Sequence, residues 1–81
     1  MRIELEDFGT GWYQLHVALK EQDIDFLVAQ LLMLKNNRDQ HFHASSDYEG
    51  EGGIGDVEFY FQGSDEQDNL MITGPSVSPT R

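Results

Sequence analysis

The sequence predicts an α+β protein in which one helix packs on one face of an antiparallel sheet of four to five strands, in the order β-β-α-β-β-β. Three observations carry that expectation. Residues 21–36, EQDIDFLVAQLLMLKN, hold the only sustained helical periodicity in the chain. The segments on either side alternate apolar and polar residues with the period of two that marks half-buried strands. Short polar stretches containing glycine separate those segments and read as turns.

Taken in order, residues 1–8 alternate Ile3 and Leu5 against Arg2, Glu4 and Glu6. The stretch Phe8-Gly9-Thr10-Gly11 suits a hairpin. Residues 12–19 alternate again, with Tyr13, Leu15, Val17 and Leu19 on one side and Trp12, Gln14, His16 and Ala18 on the other. In the helix, Ile24, Leu27, Val28, Leu31 and Leu32 form the stripe expected to meet the sheet. Asp23 and Asp25 near its start and Lys35 near its end have the signs the helix dipole favours. Asn36-Asn37 offers residues that tolerate a left-handed helix end. A third strand is expected over 40–45, a glycine-rich acidic loop over 46–53, and the strongest strand over 54–62, where Val57, Phe59 and Phe61 alternate with polar neighbours. A short fifth strand is expected over 69–73 and a disordered tail over 74–81, so that 1–73 make a single domain. The expected core joins Tyr13, Leu15, Val17, Phe42, Val57, Phe59 and Phe61 to Ile24, Leu27, Val28 and Leu31.

Composition narrows the function classes. Fifteen acidic against five basic residues give a net charge of −10. That balance repels a phosphate backbone, and the five cations are scattered, so nucleic acid is not an expected partner. Acidity either keeps a small domain soluble or draws in a basic partner, such as a nuclease whose site it blocks. No cysteine is present, so neither a disulfide nor a thiolate metal site is available. No apolar run reaches the ~18–20 residues of a membrane span, and MRIELEDF has no signal-peptide core. The expectation is a cytoplasmic protein without membrane contact.

No motif for catalysis is evident. Ser45, Ser46 and Ser64 lack a nucleophile context, the glycines of residues 46–53 do not spell a phosphate loop, and the acidic loop lacks EF-hand spacing. The chain is therefore read as a non-enzyme with no cofactor. His41-Phe42-His43 places two imidazoles on one strand face, which chelates a metal only if Asp56 or Glu58 converges on them; a solvated or interface face is the competing reading. A second apolar helix face, with Phe26 and Met33, is expected opposite the core stripe. Trp12, His16, His41, His43 and Tyr60 are expected on the sheet surface away from the helix. Aromatic side chains beside acids have the composition of an interface centre, which makes these seven the candidate partner-binding residues.

The run HFHASSDYEGEGGIGDVEFYF, following a GWYQLHVAL hairpin strand and one helix, resembles small bacterial immunity proteins of polymorphic-toxin systems, of the immunity protein 32 type. That resemblance implies a cytoplasmic protein that binds and neutralises a cognate toxin. The leading expectation is a small acidic binding module for a basic protein. The alternatives are a metal- or small-ligand-binding protein using His41 and His43, and a structural homo-oligomer, in the simplest case a homodimer.

Overall fold

The computed structural model describes residues 1–73, and the tail expected over 74–81 lies outside the described residues. Strands β1 (Arg2–Asp7) and β2 (Tyr13–Ala18) pair antiparallel, with Ile3 opposite Val17 and Leu5 opposite Leu15. Because side chains alternate across a strand, this register gathers Ile3, Leu5, Tyr13, Leu15 and Val17 on one face. Arg2, Glu4, Glu6, Gln14 and His16 fall on the other. The turn closes through Phe8 N–H donating to the Trp12 carbonyl at 3.0 Å and Gly9 N–H donating to Asp7 Oδ1 at 2.7 Å. Gly9 and Gly11 take φ of 72° and 94°, the left-handed region that a side chain disfavours.

Helix α1 spans Glu21–Asn36, the span read from its periodicity. Asp23 organises its start: Oδ2 accepts the Lys20 backbone N–H and meets the Met1 ammonium, each at 2.9 Å. This is the returning half of a capping box, with the N-terminal amine added. The helix end differs from the expectation. Asn37 is extended, at φ −142°, and donates its N–H to the Met33 carbonyl at 2.9 Å, so the helix stops without a left-handed residue.

Strands β3 (His41–Ser45) and β4 (Asp56–Tyr60) form the second hairpin, with Phe42 opposite Phe59, Ala44 opposite Val57 and His43 opposite Glu58. The helix rests on its apolar face. Phe42 stacks on Phe59 with ring centres 4.7 Å apart and receives the edge of Phe26 at 6.0 Å. Arg38, just past the helix, lies over the Phe61 ring at 4.5 Å, a cation–π contact. Strand β4 is shorter than the expected 54–62, and the bond from Ser46 N–H to the Gly55 carbonyl carries the same register one residue beyond its start.

The single sheet of four to five strands is overturned. The strands form two separate two-stranded antiparallel sheets, β1-β2 and β3-β4, with one helix between them in sequence. The α+β class stands; the sheet architecture does not. Alternation states which side chains share a face but carries no information on which strands become neighbours across a helical connection. The fifth strand is also absent among the described residues. Asn69 and Leu70 take φ of 69° and 57°, and two successive left-handed residues cannot lie in an extended ladder.

The helix is turned from its expected phase. Its less exposed positions are Asp23, Leu27, Gln30 and Leu34, whereas Ile24, Val28, Leu31 and Leu32 are exposed. At 100° per residue the covered face lies about 90° from the expected stripe. Phe26, expected on the outer side, flanks that covered face and touches Phe42. Only Leu34 (8% exposed) and Phe42 (5%) are buried hydrophobic residues among those described. Of the other expected core members, Tyr13, Leu27, Val57 and Phe59 are half-buried, and Leu15, Val17, Ile24, Val28, Leu31 and Phe61 are exposed.

Candidate functional site

Two features of the fold carry chemistry: uncovered apolar faces and a polar face bearing histidines. The first consists of the inner side of the β1-β2 hairpin and the outer side of the helix. Leu5 is 67% exposed, Leu15 57% and Leu32 55%, values typical of surface residues rather than of a core. With Val17, Ile24, Val28 and Leu31, these side chains leave apolar surface in water on two elements, the β1-β2 hairpin and the helix. An open groove of about 540 Å³ between the start of β1 and the second hairpin has a mixed lining, apolar at Ile3, Phe26 and Val57 and polar at Asp23, His43 and Asp47. It lies at the margin of the small core around Phe42.

Backbone geometry points the same way. Each sheet has two strands, so among the described residues every strand has one side without a strand neighbour. Isolated two-stranded hairpins are marginal in water and gain stability from further strands or from a cover on the apolar face. Charge guards the polar sides: Glu4 lies opposite His16, and His16 Nε2 comes within 3.3 Å of Glu6 Oε1.

The second feature is the polar face of β3-β4. His41 and His43, two residues apart on β3, share this face with Glu58 and Tyr60 of β4. The imidazole rings meet edge to face with centres 5.1 Å apart. His41, His43 and Glu58 each offer a ligand atom, and these atoms lie within 4.8 Å of one another. His43 Nδ1 is 2.7 Å from Asp56 Oδ2, and the Ser45 hydroxyl donates to Asp56 Oδ1 at 2.6 Å. The Ser45 hydrogen bond, followed by the contact with His43, holds the Asp56 carboxyl below the usual carboxylate range. Asp56 is thus ionised at neutral pH, and His43 Nδ1 is the donor in their contact.

The seven expected partner-binding residues separate into three places. His41, His43 and Tyr60 stand together on the polar face of β3-β4 and are exposed. Trp12, 57% exposed at the turn before β2, and His16 belong to the other hairpin. Phe26 is partly engaged with Phe42, and Met33 flanks the same side of the helix. They do not form one surface. Missing from that set are Leu5, Leu15, Val17, Val28 and Leu32, which alternation and helical spacing mark as core and which the fold leaves uncovered.

A search among protein-family models, curated proteins and solved structures gives no match to this chain. Among the described residues no helix is long and apolar enough to cross a membrane.

Proposed function

We propose that this chain is a small, acidic, non-enzymatic protein-binding module that acts in the cytoplasm as an immunity or antitoxin-like protein and neutralises a basic partner. The observation behind this reading is the mismatch between two buried hydrophobic side chains and the many large ones left in water. A domain of this length has little stability to spare, and so small a core is below what a free-standing fold of this size needs. Covering the hairpin and helix faces with another polypeptide supplies the missing burial. The net charge of −10 favours a basic protein and accelerates its approach. If the sequence resemblance to polymorphic-toxin immunity proteins holds, that partner is a cognate toxin.

The test is co-expression with each basic protein encoded beside its gene, followed by chromatography with mass measurement. A 1:1 complex at 0.15 M salt that is lost when Leu5 and Leu32 are replaced by serine meets the expectation. No complex, from a protein that alone is a stable monomer and binds no hydrophobic dye, refutes it.

A second reading, a homodimer, has its own observation. One chain carries both an uncovered apolar hairpin face and an uncovered apolar helix stripe, so two copies can cover each other reciprocally, as a twofold interface requires.

A further inference from the structure

We propose that His41, His43 and Glu58 form a binding site for a divalent transition metal of the zinc type, with Asp56 as the positioning residue behind His43. The argument rests on placement. Two histidines separated by one residue on a strand project to the same side, and the antiparallel register sets Glu58 directly across from His43. The three ligand atoms already lie within 4.8 Å of one another. Zinc bonds of about 2.0–2.2 Å in a tetrahedron bring ligand atoms to roughly 3.3 Å apart, so each atom moves by about 1 Å on binding. Side chains on an exposed face make that adjustment without moving the backbone.

The outer contact makes this more than a chance pair of surface histidines. A ligating imidazole characteristically donates its second N–H to a carboxylate, which fixes the tautomer and aims the free nitrogen. His43 has that arrangement, with Asp56 at 2.7 Å, and Asp56 is itself oriented by the Ser45 hydroxyl at 2.6 Å. Nε2 of His43 is left with its lone pair available. Two imidazoles and one carboxylate suit Zn²⁺ or its first-row neighbours; Ca²⁺ and Mg²⁺ prefer all-oxygen shells. Three protein ligands leave the fourth position for water or an incoming group. Because the ligands come from both β3 and β4, the ion would clip the two strands of this hairpin together.

The experiment uses the full chain without a histidine tag, titrated with zinc chloride in a calorimeter and melted with and without the ion. Saturable 1:1 binding is expected, with a melting temperature raised by about 10 °C at a hundredfold excess over Kd. His41→Ala, His43→Ala and Glu58→Gln should each weaken binding at least tenfold, whereas His16→Ala, on the other hairpin, should leave it unchanged. Asp56→Ala should weaken it about 10–100-fold. It should also shift the nitrogen NMR signature of His43 away from the Nδ1–H tautomer, which a merely structural role does not require. Should a variant unfold, X-ray absorption of the zinc-loaded wild type decides: two imidazole nitrogens at about 2.0–2.1 Å support the site, and an all-oxygen shell overturns it. Non-saturable binding equal to that of calcium, or undiminished binding by the chain lacking both His41 and His43, also overturns it.

Discussion

Replacing Val28 and Leu32 by serine separates an uncovered helix face from a core face. Both are more than half exposed, which leaves about 200 Å² of their accessible surface in water. In an isolated chain, exchanging exposed apolar residues changes stability by about 0.5 kcal/mol or less. If an associated form covers them, the same exchange removes up to about 5 kcal/mol at 25 cal/mol per Å², an upper figure because coverage is never complete. A loss of 2–5 kcal/mol corresponds to a dissociation constant about 30- to 5,000-fold weaker. Sedimentation equilibrium over a wide concentration range reads the constant for self-association, and titration calorimetry reads it for a basic partner. Thermal melting at the lowest concentration checks that the double variant remains folded. Unchanged association would refute the assignment of this face. A double variant unfolded even as a dilute monomer would return Val28 and Leu32 to the core.

Salt discriminates between the two kinds of partner. Two centres of charge −10 held about 25 Å apart repel by about 17 kcal/mol unscreened in water, reduced to about 0.7 kcal/mol at 0.15 M salt. Self-association should therefore strengthen between 0.02 and 0.5 M sodium chloride, and binding to a basic protein should weaken; comparing the two dissociation constants decides. Phe42→Ala should cost about 3–5 kcal/mol in chemical denaturation, since Phe42 is one of two buried hydrophobic residues and lies between Phe59 and Phe26. Leu70→Asn should be neutral or stabilise by up to about 1 kcal/mol in the same assay, because Leu70 is 96% exposed with φ of 57°, a conformation asparagine tolerates better. Acid should destabilise the fold through Asp23 and Asp56. Asp23 is depressed by the Lys20 backbone N–H and then by the N-terminal amine, and Asp56 by Ser45 and then His43. Their contribution is present above the ordinary value of 3.8 and is lost as pH falls below it through the lowered folded values. Melting at pH 5 and pH 3 should show that loss, and Asp23→Asn and Asp56→Asn should each reduce it.

Local order was legible in the sequence, and long-range order was not. The helix bounds, the first hairpin and the alternation of faces along each strand follow from spacing and turn residues. Spacing also placed His41 and His43 on one side, with Asp56 and Glu58 as the carboxylates to watch, and the register brings them together. The helix phase was misread because apolar residues surround much of this helix. Ile24, Leu31 and Phe26 all satisfy a helical stripe, and only the contact with Phe42 selects among the possible faces. For the same reason the pattern could not reveal that Leu5, Leu15 and Val17 lack a cover. An apolar strand face has one signature in sequence whether it meets its own helix or another chain. The expected fifth strand fails at its start, Asn69 and Leu70, where a short apolar run resembles a strand although the backbone turns left-handed.

Amide hydrogen exchange across β1 and β2 tests the central claim most directly, because among the described residues this hairpin has no third strand and its apolar face is open. In dilute protein shown by mass to be monomeric, the amides of residues 2–7 and 13–18 should exchange with little protection. Protection should rise at least a hundredfold on association with a second copy or a basic partner. Strong protection of both strands in the monomer would mean that the chain covers these faces unaided, and the account of an unfinished core would fall.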